Sequence, residues 1–182
     1  MDEQLLVGNA QAGDAAAFAQ LFAAYYGPIT GYLYHLVHDR DAADDLAQDT
    51  FLRAYRALGR TGADLHFRAW LYQIATNAAR NYHRRQRLRR WLPFGAAAGE
   101  PCGDAPLAER LAERELIALT LRRIGPANAS AILLHHYHDL SLAETATALG
   151  LTVNGAKSRL LRARRAFARA YGELAGDREE ER

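Results

Sequence analysis

The segment that most limits which folds this chain can adopt is residues 91–106, WLPFGAAAGEPCGDAP. The stretch is rich in Gly, Ala and Pro, holds three of the five prolines, and has no helical periodicity. On both sides of it apolar residues recur at helical spacing, and no segment alternates apolar and polar residues long enough for a strand. The sequence therefore predicts an all-α protein with two small helical domains joined by a flexible linker. We assign the first domain to residues 1–90, the linker to 91–106, the second domain to 107–174 and a solvated tail to 175–182.

The single cysteine, Cys102, excludes an intramolecular disulfide and a zinc site built from several thiolates. No apolar run approaches the roughly 18 residues of a membrane span, and the N-terminus lacks the apolar core of a signal peptide. We therefore expect a soluble, cytoplasmic protein without membrane insertion.

The first half predicts four main helices. Asp14 is positioned to cap a helix that ends near Gly27 and Pro28, and a second helix begins at Ile29. The third covers residues 41–58, and its predicted buried stripe consists of Ala43, Leu46, Ala47, Phe51, Ala54, Tyr55 and Leu58. A polar loop over 59–66 leads into a long helix over 67–90, whose inner face is predicted to be Phe67, Leu71, Ile74 and Ala78.

The second half predicts a helix-turn-helix motif. A helix over residues 107–124 is followed by a helix that starts at Pro126 and reaches the turn HHYHD. Ser141 and Glu144 form the pattern of a capping box, and Gly150 is placed for a left-handed turn. Thr152 can then cap a basic helix, so a short helix, a tight turn and a second helix follow one another.

The last helix is the strongest candidate for contact with DNA. Residues 145–172 hold six Lys or Arg residues and no acid. Its predicted apolar face is Val153, Ala156, Leu160, Ala163 and Phe167, and its predicted base-reading face is Lys157, Ser158, Leu161 and Arg162. These side chains can donate to guanine edges or phosphates, or touch a thymine methyl group. Arg165 is expected nearer phosphates. The alternative is an amphipathic surface helix whose arginines are merely solvated.

The helix over 67–90 is a second candidate. Asn77, Arg80, Asn81 and Arg84 share one face, where two amides and two guanidinium groups can read bases and hold phosphates. Trp70 and Tyr72 add surfaces on which an unstacked base can rest. The alternative is that these aromatic residues belong to the core, and we expect Trp70 to be partly buried.

The helix over 41–58 carries a different surface, since residues 39–49 hold five acidic side chains. Carboxylates repel phosphates, so this face is not expected to bind DNA. It is either a solvated surface or a docking face for a basic protein, and its predicted contact residues are Asp41, Asp44, Asp45, Gln48, Asp49 and Leu52.

The histidines of the HHYHD turn are a weak candidate for a metal site. His135 and His138 are spaced to share a metal, but no obvious set of ligands completes the site beyond Asp139. A cluster at a helix end is the better interpretation, and His136 falls in the same group. No phosphate-binding loop, nucleophile elbow or two-histidine zinc motif is present. We predict no bound metal, no cofactor and no enzymatic activity.

From about Gln11 to Tyr171 the chain resembles the extracytoplasmic-function (ECF) sigma factors, small members of the main bacterial sigma superfamily. The resemblance depends on an ordered set of segments: AGDAAAFAQLFAAYY, DAADDLAQDTFLRAYRAL, FRAWLYQIATNAARN, GPANASAILLHHYHDLSLAETATALGLT and KSRLLRARRAF.

The resemblance implies a role for each surface. The acidic helix would dock on the clamp of the largest subunit of core RNA polymerase, and the second domain would lie near the flap of the second-largest subunit. The loop over 59–66 and the helix after it would capture a flipped base and recognise the minus-ten element of promoter DNA. The helix-turn-helix would read the minus-thirty-five element as duplex. An anti-sigma protein that holds the factor inactive is also implied.

The chain departs from the family at Asn154, Gly155 and Ala156, where Gly-Thr-Val commonly precedes Lys-Ser-Arg. Asn154 is therefore an additional candidate for DNA contact, and we expect an unusual minus-thirty-five preference. Two other functions stay open at this point. One is a helix-turn-helix regulator that binds duplex DNA without docking on polymerase, and the other is a histidine-based metalloenzyme.

Overall fold

The computed structural model describes residues 3–90 and 108–180, and in these ranges every regular element is a helix. The first half contains α1 (Glu3–Gln11), α2 (Ala15–Val37), α3 (Arg40–Leu58) and α4 (Phe67–Arg90). The second contains α5 (Ala108–Ile124), α6 (Pro126–Ile132), a π-helical turn (Leu133–Tyr137), α7 (Leu142–Leu149) and α8 (Val153–Glu180). This confirms the all-α prediction. The predicted linker 91–106, with Cys102, lies outside the described residues.

The first half is a bundle in which α2 packs on α1, α3 and α4. Asp14 caps α2 as predicted, since its carboxylate accepts hydrogen bonds from the backbone N–H groups of Ala16 at 2.8 Å and Ala17 at 3.2 Å. Asp39 caps α3 in the same way through the N–H of Ala42 at 3.0 Å. Both caps satisfy backbone donors that would otherwise lack partners at the helix start.

The predicted break at Gly27 and Pro28 is wrong, because α2 runs through both residues. Pro28 has no backbone N–H and disturbs the helix, at a cost of about 3 kcal/mol in a helix interior. Leu21, Ile29 and Leu33 are fully buried on one continuous face that passes the proline. Each such side chain contributes about 1.5–3 kcal/mol on burial, so the shared apolar face outweighs the local penalty.

The inner face of α3 is also narrower than predicted. Phe51, Ala54 and Leu58 are buried, but Tyr55 is 56% exposed. Tyr55 lies at the edge of the buried stripe and packs its ring against Phe18 of α2, with centroids 4.9 Å apart. An aromatic side chain at such an edge reaches outward and leaves the smaller Ala54 against the core.

The second half is arranged around α8, which packs on α5, α6 and α7. An ion pair of 2.8 Å between Arg123 and Glu173 adds a link from α5 to α8. The helix continues to Glu180, beyond residue 175 where we predicted a solvated tail. Leu174 and Ala175 are half-buried, so packing continues across that predicted boundary.

The two halves pack against each other. The main contact is between α4 and α7, and α2 also meets α5 and α6. Buried residues of both halves, such as Leu71 and Leu134, belong to one continuous apolar cluster. The helix-turn-helix therefore rests on the long helix of the first half.

Candidate nucleic-acid interface

The helix-turn-helix has the local geometry that its sequence predicts. The hydroxyl of Ser141 accepts a hydrogen bond from the N–H of Glu144 at 3.2 Å, and the Glu144 carboxylate accepts one from the N–H of Ser141 at 2.8 Å. Gly150 ends α7 in the left-handed region, with φ of 65°. This turn directs the chain from α7 into α8 within three residues.

The polar face of α8 is open to solvent. Ala156, Leu160 and Ala163 are buried against the rest of the second half, as predicted. All six predicted contact residues are exposed: Asn154, Lys157, Ser158, Leu161, Arg162 and Arg165. Leu161 is 50% exposed and is therefore available for an apolar contact with DNA.

Val153 does not belong to the buried face, although we predicted it there. It is the first residue of α8 and is 49% exposed, and the buried face of the helix begins three residues later at Ala156. A contact in the same turn explains why residue 155 is a glycine. Its N–H donates to the hydroxyl of Thr152 at 3.1 Å, and a Cβ at position 155 would lie 3.1 Å from that oxygen. Glycine therefore leaves space for the predicted Thr152 cap.

The predicted polar face of α4 is partly available. Asn77, Arg80 and Arg84 are exposed, and Asn81 and Trp70 are half-buried. The side chains of Asn77 and Arg80 interact, since Nη1 of Arg80 lies 3.4 Å from Oδ1 of Asn77. The other terminal nitrogen of Arg80 donates to the backbone carbonyl of Leu149, at the end of α7, at 2.8 Å. A predicted DNA-contact residue is thus also bonded to the second half.

Tyr72 is not available for stacking in this arrangement, which contradicts the prediction. Its side chain is 1% exposed. The ring packs on Tyr32 of α2 at a centroid distance of 5.3 Å and on His138 of the second half at 4.9 Å. Apolar and aromatic contacts from both halves therefore cover the ring that was expected to receive a base.

His138 lies in this contact between the halves. It is 9% exposed, its Nε2 atom is buried without a hydrogen-bond partner, and its ring lies 5.7 Å from Tyr32. Burial lowers the pKa of His138 to about 4, with smaller contributions in the same direction from Arg68 and His35 and an opposite one from Asp139. The histidine is therefore neutral at pH 7.

The other two histidines of the turn have separate local partners. Nδ1 of His135 is bonded to the carbonyl of Leu140 at 2.8 Å, and Nε2 of His136 accepts from Nε of Arg164 at 3.0 Å. Among the described residues, no group of three or more potential ligands is close enough to hold a metal. The geometry around these histidines is that of a helix end packed against its neighbours.

The acidic face of α3 is exposed at Asp41, Asp44, Asp45, Gln48 and Leu52. Asp49 is half-buried and pairs with Arg53 one turn later at 2.7 Å. Sequence reasoning missed the aromatic extension of this face, formed by Tyr55 of α3 and Phe22 of α2, both exposed. The position of Tyr55 at the edge of the apolar stripe was the available indication.

The loop over residues 59–66 lies between this acidic helix and α4. Nε2 of Gln11, at the end of α1, donates to the hydroxyl of Thr61 at 2.8 Å and to the carbonyl of Gly62 at 3.0 Å. The side chains of Asp64 and His66 are exposed. Gln11 therefore fixes the first part of the loop, and the side chains of Asp64 and His66 after it are open to solvent.

In the described part of the chain, no helix has the length and apolar character that crossing a membrane requires.

Comparison with known proteins identifies two family regions. The profile of Sigma-70 region 2 matches residues 21–89, and that of Sigma-70, region 4 matches residues 114–167. The RNA polymerase sigma-H factor of Pseudomonas aeruginosa is 35% identical over 185 residues, which cover 94% of this chain and 95% of that protein. The ECF RNA polymerase sigma-E factor of Salmonella typhimurium is 30% identical over 178 residues, which cover 92% of this chain and 93% of that protein.

A solved structure shows the same fold. The complex of CnrH with the cytosolic domain of CnrY contains a chain that matches with a TM-score of 0.67 and 28% identity, over 91% of this chain and 94% of that one. Two sigma regions in order, with relatives matched along nearly their whole length, agree with the resemblance seen in the sequence. This chain belongs to the ECF sigma factor family, the alternative sigma factors that direct RNA polymerase to promoters.

Proposed function

We propose that this sigma factor divides initiation among three surfaces: the acidic face of α3 binds core polymerase, α4 binds the minus-ten element, and α8 reads the minus-thirty-five element. In this role the protein acts by binding and positioning, not by catalysis. The acidic face and the two basic helices lie on separate elements, so one chain can hold a basic protein surface and DNA at once.

The observation that carries the proposal is the division of α8 into two faces. The buried Leu160 fixes the helix on its domain, and Lys157 and Arg162 project from the opposite side together with an exposed leucine. A recognition helix of this kind enters the major groove with its N-terminal residues on the base edges. Lysine and arginine there donate to guanine, and leucine contacts a thymine methyl group.

The minus-ten role of α4 is supported by the exposed amide of Asn77 and guanidinium groups of Arg80 and Arg84. Unstacked bases present their edges, so amide and guanidinium donors on one helix face can hold a melted strand. Trp70, half-buried, is the remaining aromatic candidate for stacking, and the exposed loop over 59–66 lies directly before the same helix.

Core docking is supported by the chemistry of α3. Three exposed carboxylates, Asp41, Asp44 and Asp45, provide attraction to a basic surface, and Leu52 and Tyr55 provide apolar area. Interfaces that combine a charged rim with a leucine or tyrosine contact are typical of specific protein association. We assign the clamp of the largest polymerase subunit as the partner of this face and the flap of the second-largest subunit as a partner of the second half.

Regulation by an anti-sigma protein is a further part of the proposal. CnrH has been solved in complex with the cytosolic domain of CnrY, and it shares this fold over nearly the whole chain. A cytoplasmic location follows from the proposed partners, core polymerase and promoter DNA.

Site-specific cross-linking in the promoter complex tests the assignment of surfaces. A photo-reactive residue at Leu161 should cross-link to the minus-thirty-five duplex, and one at Asn77 to the minus-ten region of the non-template strand. A photo-reactive residue at Arg56, exposed on α3, is the matched control and should give little DNA cross-linking. Cross-links from Leu161 and Asn77 to the same promoter element would contradict the proposal.

A further inference from the structure

The loop over residues 59–66 is attached to α1 by one glutamine side chain. Nε2 of Gln11, the last residue of α1, donates to the hydroxyl of Thr61 at 2.8 Å and to the carbonyl of Gly62 at 3.0 Å. The Thr61 hydroxyl in turn donates to the carbonyl of Leu58, the last residue of α3, at 2.6 Å. These hydrogen bonds join α1, the loop and the end of α3.

The backbones of α1 and the loop also approach each other closely. A Cβ at Gly59 would lie 3.3 Å from the backbone carbonyl oxygen of Gln11, so glycine accommodates this approach. The N–H of Thr61 donates to the carbonyl of Leu58 at 3.1 Å, which continues the turn at the end of α3. Residues 62–64 after it are exposed. The first part of the loop is therefore fixed between two helices, and the part that follows is open to a ligand.

α1 can serve as an anchor because it is itself fixed on the first half. The helix has nine residues, too few to be stable alone in water, so its position depends on packing. Val7 is buried in the core, and the hydroxyl of Tyr25 in α2 donates to the carboxylate of Glu3. Gln11 therefore extends from a helix whose position is set by the bundle and not by the loop.

The contacts of Gln11 require the donors of a side-chain amide. The Gly62 carbonyl only accepts, and the hydrogen of the Thr61 hydroxyl is given to Leu58, so both loop oxygens need a donor from Gln11. The amide NH₂ group supplies two hydrogens for these two oxygens. The sequence of α1, EQLLVGNAQ, has no lysine or arginine to offer to phosphates, so its contribution to DNA binding passes through the loop.

We infer that Gln11 is a positioning residue for base capture, which holds the loop over 59–66 in the conformation that receives a flipped base of the minus-ten element. This inference rests on the proposed minus-ten role of α4 and of the loop directly before it. A base that leaves the duplex gives up its stacking, and a loop that already has its binding conformation costs less to order. Loss of the Gln11 hydrogen bonds lowers the fraction of molecules with a competent loop, and the apparent affinity falls in proportion.

The test replaces Gln11 by methionine and by lysine in the full chain, assembled with core polymerase. Gln11→Met keeps the length and helix propensity of the side chain but has no donor, whereas Gln11→Lys keeps a group that donates. Gln20→Met makes the same exchange at an exposed glutamine of α2 and is the matched control. Circular dichroism and thermal melting of the free chains report whether each variant is folded.

The captured base is located with single-stranded minus-ten oligonucleotides that carry 2-aminopurine at each position in turn. Its fluorescence rises where the base leaves the stack on binding to the original holoenzyme. Each variant holoenzyme is then titrated with the intact oligonucleotide and with one that is abasic at the captured position.

We expect Gln11→Met to weaken binding of the intact oligonucleotide by about threefold to tenfold, the range for one or two lost hydrogen bonds, and to leave binding of the abasic oligonucleotide unchanged. Gln11→Lys and Gln20→Met should match the original chain on both oligonucleotides. Equal losses of Gln11→Met on the two oligonucleotides would overturn the inference, because they would indicate a general loss of structure or of backbone contact.

Thr61→Val tests the same contact from the side of the loop and applies even if Gln11→Met unfolds. Its loss should again be confined to the intact oligonucleotide, and a loss on both would overturn the inference. Because the two substitutions remove one shared hydrogen bond, the double variant should lose less than the product of the two single losses. A double variant that loses the full product would show that the two side chains act independently, against the inference.

The original chain separates failure of this inference from failure of the proposed function. If the original holoenzyme distinguishes the intact from the abasic oligonucleotide and Gln11→Met distinguishes them equally well, the minus-ten role stands and the positioning role of Gln11 is rejected. If the original holoenzyme binds both equally and 2-aminopurine brightens at no position, the proposed role of the loop fails, and the inference fails with it.

Discussion

A comparison of substitutions at Arg162 and Arg169 of α8 distinguishes contacts with DNA bases from contacts with the DNA backbone. Both are exposed, and they lie seven residues apart on one helix, which corresponds to about 10.5 Å along its axis. If the start of α8 lies in the major groove, Arg162 is within reach of base edges. Arg169, further from the N-terminal residues of the helix, is then expected to lie nearer phosphates.

The two alanine substitutions should therefore differ in kind. Arg162→Ala should cost about 1–3 kcal/mol on the preferred minus-thirty-five sequence and relax selectivity at one base pair. Arg169→Ala should weaken all sequences alike and reduce the slope of log K against log salt by about 0.9, the value for one lost phosphate contact.

The assay is a binding series with minus-thirty-five duplexes substituted at each position, measured at several salt concentrations. Lys157→Ala provides a second base-reading variant for comparison. Identical sequence profiles and salt slopes for Arg162→Ala and Arg169→Ala would refute the placement of sequence readout at the start of α8.

Three further predictions concern the other surfaces. Asp45→Arg combined with Gln48→Arg should weaken binding to core polymerase at least about tenfold, because it reverses charge on the proposed docking face. The circular dichroism of the variant should stay normal, and unchanged affinity for core would exclude that face. Asn77→Ala should reduce binding to single-stranded minus-ten DNA more than to duplex of the same sequence, and equal losses would indicate plain backbone contact. The packing between the two halves should be at full strength above about pH 6.5 and weaken as the pH falls toward 4, because burial lowers the pKa of His138 and of His38 to about 4 from about 6.5. A distance between dyes at the exposed positions 56 and 169 that is constant over this range would contradict this prediction.

Local rules predicted most of the helices and the helix-turn-helix, because caps and turns depend on a few neighbouring residues, but they did not predict the helix over Glu3–Gln11. Asp14, the Ser141–Glu144 capping box and Gly150 all have the expected geometry. Pro28 shows where such rules fail, since the buried face that carries α2 through it is formed by residues on both sides and by partner helices. The spacing of apolar residues predicts that a segment is helical, but not how strongly that helix packs on its neighbours.

The exposure of the candidate side chains was predictable on α8 and for most of those on α4, but not for Tyr72. The opposite face of α8 packs within its own half, so its apolar pattern indicates which residues stay outside. Tyr72 and His138 meet across the two halves, and their contact joins residues 66 positions apart in the sequence. No local pattern in the sequence specifies that pair, and the contact changed the expected role of Tyr72.

Core-dependent transcription is the most direct test of the account. The purified chain is combined with core RNA polymerase and genomic DNA, and the 5′ ends of the transcripts are sequenced. We predict transcripts that begin at a defined set of sites sharing minus-thirty-five and minus-ten elements, that require both core and this chain, and that decrease with Arg162→Ala. Binding to duplex DNA that is the same with and without core, with no new transcripts, would contradict the account and indicate a regulator that never docks on polymerase.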